Sequence, residues 1–172
     1  MISYKERLND INTLIFDIDG VFTDGMVTIL NGDFVRQINS KDLYAVQYAL
    51  KKGYKVFIIT GAHSQDLKDT FERIGVNGVY LKSRDKRAVY EHLKAEFEFT
   101  DAQALYMGDD IPDYPLMEIV GCSTCPQDAV HEIKRVAQYQ SPFNGGKGAV
   151  RDVIEQVLRV QGKWFMEDAV IW

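Results

Sequence analysis

The sequence predicts an α/β fold in which helices cover both faces of a mostly parallel sheet, a Rossmann-like αβα sandwich. Three observations carry this: short apolar runs alternate with stretches of helical periodicity, glycines close several of those helical stretches, and acidic or hydroxyl residues follow several of the apolar runs directly. The apolar run Leu14-Ile15-Phe16 is the first strand. A turn-rich stretch follows, in which residues 26–30 and 34–38 alternate in character around Asn31-Gly32, the dipeptide that favours a tight hairpin. Residues 42–52 read as a helix ending at Gly53, 55–59 as a buried strand, and 64–74 as a helix stopped at Gly75. The alternation continues with a strand at 79–81, a helix at 86–97, a strand at 104–107 and a helix at 114–120. Helices are expected at 129–137 and 148–160, with Gly145-Gly146-Lys147-Gly148 between them. No repeat or linker interrupts the chain, so residues 1–172 are expected to form one domain with a hairpin insertion near 21–38 and an aromatic tail at 162–172.

Composition narrows the function. A chain of 172 residues, 46% hydrophobic and 26% charged, suits one domain with a sizeable core. No apolar run approaches the roughly 18 residues that cross a bilayer, and Met1-Ile2-Ser3-Tyr4-Lys5-Glu6-Arg7 lacks the apolar stretch of a signal peptide, so a cytoplasmic location is expected. The net charge of -5, with scattered lysines and arginines, gives no footprint for nucleic acid. Cys122 and Cys125 form a Cys-x-x-Cys, but His63, His92 and His131 are scattered and complete no zinc set, so the pair reads as reduced and loop-borne.

The chemistry gathers where strands end. Asp17-Ile18-Asp19-Gly20 puts two carboxylates on a glycine turn after the first strand, enough for a nucleophile and an acid in phosphate ester hydrolysis. Asp-x-Asp-Gly also opens calcium loops, but the segment before it is strand-like rather than helical. Thr60-Gly61 lies at a strand-to-helix turn, where a hydroxyl and backbone N–H groups would hold a phosphate oxygen or cap the next helix. Lys86 opens the helix after the third strand of the alternation and would neutralise a phosphoryl group, with Arg84 and Arg87 as close rivals. Asp109, Asp110 and Asp113 follow Met107-Gly108 so closely that a cation is expected among them, and an oxygen-only donor set suits Mg2+. In an open α/β sheet ligands bind beyond the carboxyl ends of the strands, the edge to which Asp17, Thr60, Lys86 and Asp109 are all assigned.

These motifs, in this order, resemble the haloacid dehalogenase superfamily of phosphohydrolases across nearly the whole chain. The resemblance implies that Asp17 is the nucleophile that forms an aspartyl phosphate and that Asp19 is the general acid and base. It implies that Asp17, Asp19 (through its carbonyl) and Asp109 bind Mg2+, supported by Asp110 and Asp113, and that Thr60, Gly61 and Lys86 hold the phosphoryl group. The segments after Gly20 and Gly75 are too short for a cap domain. The capless members that this chain is similar to, in its hairpin, Lys41-Asp42, Pro126-x-Asp128-Ala129-Val130 and Gly145-Gly146-x-Gly148-x-x-Arg151-Asp152, dephosphorylate a phosphorylated 2-keto-3-deoxy sugar acid. The implied substrate is 3-deoxy-D-manno-octulosonate 8-phosphate, in lipopolysaccharide precursor synthesis, or a related nonulosonate 9-phosphate or other sugar phosphate. Asp42 joins the substrate-binding set by the same resemblance, which also implies a homotetramer closed by its hairpins, with the apolar tail buried against a neighbour or its own subunit. Ala62 and Thr70 stand where such members carry Arg, and Leu43 where Gly is usual, which leaves His63, Lys68 and Arg73 as substitutes for reading the sugar acid. Two other classes use similar residues: a receiver domain, whose phosphorylated Asp comes well after its first acidic pair, and a scaffold that has lost turnover.

Overall fold

The computed structural model describes residues 3–31 and 33–170. The expected turn residue Gly32, the tail residues Ile171 and Trp172, and Met1 and Ile2 of the amino-terminal stretch lie outside the described residues. Along the chain run α1 (Tyr4–Arg7), β1 (Thr13–Phe16), β2 (Thr28–Leu30), β3 (Asp33–Val35), α2 (Ser40–Lys51), β4 (Lys55–Ile59), α3 (Gln65–Arg73), β5 (Gly78–Tyr80) and α4 (Lys86–Glu96). Then come β6 (Ala104–Met107), α5 (Tyr114–Met117), β7 (Cys122–Cys125), α6 (His131–Val136), β8 (Tyr139–Gln140) and α7 (Ala149–Val160). One six-stranded sheet has the order β5-β4-β1-β6-β7-β8, with every neighbouring pair parallel. β2 and β3 pair antiparallel with each other and lie outside that sheet.

The central strands β1, β4 and β6 are mainly apolar because both faces of the sheet are covered. Leu14 and Phe16 of β1, Val56 and Ile58 of β4, and Leu105 and Met107 of β6 join one buried cluster with residues of α2, α3 and α7. Ile15, Phe57, Ile59, Ala104 and Tyr106 project the other way, into a cluster with residues of α4, α5 and α6. The period of two thus sorts each strand between two helical layers, giving the three-layer Rossmann-like sandwich. Phe16 has no exposed surface, and truncating such a side chain to alanine costs about 3–5 kcal/mol. Phe16 is in register with both Ile58 and Met107, so β1 and β6 end level and β4 runs one residue further. That alignment positions the site.

Several expectations change in the structure. Cys122 and Cys125 are free thiols in a buried strand rather than a loop, and they face opposite clusters. The Cys-Ser-Thr-Cys sequence looks polar because its hydroxyls are satisfied internally: Ser123 Oγ donates to Val136 O at 3.3 Å and Thr124 Oγ1 to Tyr106 O at 2.9 Å. The hairpin ladder stops at Val35, short of the alternating pattern. The tail packs on its own subunit: Trp164 meets the Tyr48 ring edge-on at 5.4 Å, Lys52 pairs with Asp168 at 2.6 Å, and the Tyr44 hydroxyl donates to Ala169 O. Among the described residues no helix is long and apolar enough to cross a membrane.

Candidate active site

Asp17 follows β1 at its carboxyl end and is 8% exposed. Its N–H donates to Met107 O at 3.1 Å, which carries the ladder one residue further, and its Oδ1 accepts from Ile18 N at 2.7 Å. The chain then turns. Ile18 O accepts from the N–H groups of Val21, Phe22 and Thr23, and Thr23 Oγ1 accepts from Gly20 N and Gly25 N, both at 3.2 Å. Gly20 has a φ of +76°, and a Cβ there would lie 1.9 Å from Asp109 Oδ2. On its other side Gly145 approaches so closely that a Cβ on Gly145 would meet Gly20 O at 1.9 Å. Glycine at residue 20 therefore follows from both its backbone angle and its neighbours.

Beneath this turn lies a buried ionic network. Lys86 Nζ sits 2.7 Å from Asp17 Oδ2 and 2.5 Å from Asp113 Oδ1. Tyr106 OH donates to the same Asp113 oxygen at 2.6 Å, while Asp113 Oδ2 accepts from Asp109 N at 2.8 Å and Asp110 N at 3.2 Å. Burial pulls the Lys86 ammonium down, and the carboxylates of Asp17 and Asp113 more than offset it, so its pKa is held above the usual lysine value. Burial pushes Asp17 up to about 6, with Lys86 opposing and Asp113 adding to the rise. Asp109 is pushed up to about 8, by burial first and then by the charges of Asp113, Asp17 and Asp110. Asp17, Lys86, Asp109, Asp110 and Asp113, with Thr60, Gly61, Ser83 and Arg84, line a cavity of about 500 Å³.

The model of the haloacid dehalogenase-like hydrolases matches residues 79–154. A 3-deoxy-D-manno-octulosonate 8-phosphate phosphatase of Yersinia pestis is 34% identical over 92% of this chain and 85% of its own length. The chain belongs to the haloacid dehalogenase-like hydrolases. The crystal structure of a Yersinia pestis phosphatase of that name matches this hydrolase with a TM-score of 0.91 at 34% identity, covering 93% of this chain and 87% of the other. The cobalt-bound form of a deoxy-D-mannose-octulosonate 8-phosphate phosphatase from Haemophilus influenzae matches with a TM-score of 0.89 at 26% identity, covering 95% of this chain and 98% of the other.

Within this hydrolase, Asp17, Asp19, Thr60, Gly61, Lys86, Asp109, Asp110 and Asp113 all line the one cavity. Thr60 is no helix cap: Ser64 caps α3 by accepting from Leu67 N, and Thr60 Oγ1 accepts from Ala62 N at 3.1 Å. Lys86 rather than Arg84 or Arg87 reaches the carboxylates. Asp42 lies elsewhere: it has no exposed surface, and its Oδ1 accepts from Arg151 N at 2.8 Å in the first turn of α7. Its partner is a helix start, which no local pattern announces. Arg73 is exposed at the far end of α3, away from the cavity. Arg36 was not anticipated. It leaves β3 and grips Asp19 with both ends of a fork, Nε to Oδ1 at 2.6 Å and Nη2 to Oδ2 at 3.0 Å. The only advance signal was a lone cation where the hairpin alternation ends.

The donor set suits a hard divalent cation. Asp17, Asp109 and Asp113 offer oxygens within 4.8 Å of one another, with no His or Cys among them. Asp113 already accepts four hydrogen bonds, whereas among the described residues the Asp109 carboxylate accepts none. Asp17 and Asp109 are thus the side chains open to a metal, and the carboxylate repulsion that adds to burial in raising Asp109 is what a bound cation relieves.

Proposed function

We propose that this hydrolase is a magnesium-dependent phosphatase acting on a phosphorylated 2-keto-3-deoxy sugar acid, 3-deoxy-D-manno-octulosonate 8-phosphate, through an aspartyl phosphate on Asp17. The observation that carries the reading is the placing of Asp17 between the buried Lys86 ammonium and the unpaired carboxylate of Asp109, in a cavity also lined by Thr60. The names of the Yersinia and Haemophilus relatives support the substrate. Thr60 Oγ1, the Gly61 backbone and Lys86 hold the phosphoryl oxygens. An Asp17 oxygen attacks phosphorus, the bond from phosphorus to the sugar oxygen breaks, and Asp19 gives that oxygen its proton. Asp19 then takes a proton from water as the water attacks phosphorus, and the bond to Asp17 breaks to release inorganic phosphate. Asp17, the Asp19 carbonyl and Asp109 would hold magnesium, which would shield the nucleophile from the phosphate charge. Asp110 and Asp113 support that set.

A related nonulosonate 9-phosphate or another sugar phosphate is the second reading, left open because Ala62 before α3 and Thr70 within it supply no arginine. The enzyme acts as a homotetramer in this reading, supported by the exposed apolar hairpin: Met26 is 75%, Ile29 72% and Phe34 57% exposed. A cytoplasmic setting accords with the free thiols of Cys122 and Cys125. Phosphate release from a panel of sugar phosphates, with magnesium and with chelator, tests the reading. Release that persists in chelator, or in Asp17→Asn, overturns it.

A further inference from the structure

Arg36 stands between two cavities. Its guanidinium holds Asp19 at the acidic site, and its side chain also lines a cleft of about 730 Å³ between the hairpin and the start of α3. The side chain is 7% exposed, so its charge is largely removed from water. A guanidinium has five N–H groups. Nε and Nη2 each give one to Asp19, and Nη1 gives one to Phe34 O at 3.4 Å, leaving one N–H on each Nη without a partner among the described residues. A planar fork with a donor on both terminal nitrogens matches a carboxylate, as the grip on Asp19 shows for the opposite edge.

The cleft favours an anion for a second, independent reason. Ser64, Gln65 and Asp66 line it, so the amino end of the nine-residue α3 opens into it with the positive end of the helix dipole. Among the described residues that line it, Asp66 is the one acidic group and Arg36 the one permanent cation. The cleft takes in Arg36 and the hairpin's Phe34 on one side and Thr70 on the other, and the Arg36–Asp19 pair links it to the cavity at Asp17.

We propose that Arg36 is a specificity-determining residue that binds the carboxylate of the substrate through its terminal nitrogens while its Nε edge keeps Asp19 in place. This rests on the sugar-acid phosphatase reading above and names the group that reads the acid. The hairpin then does more than meet other subunits: it brings the charge that separates sugar acids from neutral sugar phosphates.

The test compares wild type, Arg36→Lys and Arg36→Met on 3-deoxy-D-manno-octulosonate 8-phosphate and on mannose 6-phosphate, which lacks a carboxylate. Losing a charge-assisted contact of this kind lowers binding about tenfold to a hundredfold. The ratio of kcat/KM for the acid over the neutral sugar is expected to fall by that factor in Arg36→Met, mainly through KM, with Arg36→Lys in between. Inhibition by free 3-deoxy-D-manno-octulosonate should weaken in parallel. A ratio unchanged within about twofold, with both substrates slowed alike, shows that Arg36 acts through Asp19 alone and overturns the inference. If Arg36→Met does not fold, the ratio and the product inhibition of Arg36→Lys decide by the same criteria. Wild-type enzyme inactive on both esters overturns the phosphatase reading and the inference with it; wild type active on both with an unmoved ratio overturns the inference alone.

Discussion

Asp113→Asn tests the account of the buried network most directly. The Asp113 side chain is 1% exposed, and all four of its partners are donors: Lys86 Nζ and Tyr106 OH on Oδ1, Asp109 N and Asp110 N on Oδ2. Asparagine has one oxygen and one NH2 group, so whichever way it is turned, two donors face an NH2. Each buried donor left without an acceptor costs about 1–3 kcal/mol. Lys86 also loses one of its two carboxylates, although Asp17 remains 2.7 Å away. The expected loss is about 3–5 kcal/mol, a large share of a typical stability of about 5–15 kcal/mol. Urea unfolding followed by circular dichroism should show a lower midpoint at an unchanged slope. The exposed neighbour Asp110, whose side chain accepts from Ile111 N and from the Asp113 backbone in a capping box, is the control, because Asp110→Asn keeps an amide oxygen as acceptor. A loss below about 1 kcal/mol in Asp113→Asn would refute the view that a buried acceptor for four donors organises the site.

Asp17→Asn should reduce phosphate release at least about a thousandfold, yet leave the melting temperature level or higher because the lost charge is one that burial disfavours; a lower melting temperature contradicts this. Gly20→Ala, whose Cβ would fall on Asp109 Oδ2 at a φ of +76°, should weaken magnesium binding, and an unchanged calorimetric titration would count against the geometry. Asp17 and Asp109 are raised to about 6 and about 8, so their protons favour the folded state; their contribution to metal-free stability is full below the ordinary carboxylate range and lost as pH rises towards 8. The gain in melting temperature on adding magnesium should therefore be larger at pH 8 than at pH 5, and equal gains refute the link. Phe34→Asp, opposite Ile29 on the exposed hairpin, should lower the mass seen by analytical ultracentrifugation; an unchanged mass removes the hairpin from the assembly.

The parts of this molecule that were legible in advance are those governed by local pattern. Lys55–Ile59 and Ala104–Met107 match their expected bounds because strands buried on both faces read as unbroken apolar runs. Lys86 and Asp109 were found because topology brings the ends of β1 and β6 and the start of α4 to one edge. β7 escaped notice because a strand of Cys, Ser and Thr carries no apolar signal, its hydroxyls being matched by carbonyls distant in sequence. Asp42 and Arg36 were hidden for the same reason. One meets α7 across 109 positions and the other meets Asp19 across 17, and nothing within a few residues of either encodes the partner.

The contact of Gly145 and Gly146 with the turn after β1 ties the carboxyl-terminal third of the chain to the first catalytic loop: Gly146 N donates to Val21 O at 2.9 Å, and Asp128 accepts from Gly145 N at 2.9 Å. Local opening of this region is therefore not peripheral fraying. A nick anywhere in the stretch before α7 would release one wall of the Gly20 turn, and amide exchange at Gly146 should report on the integrity of a nucleophile that lies more than a hundred residues earlier.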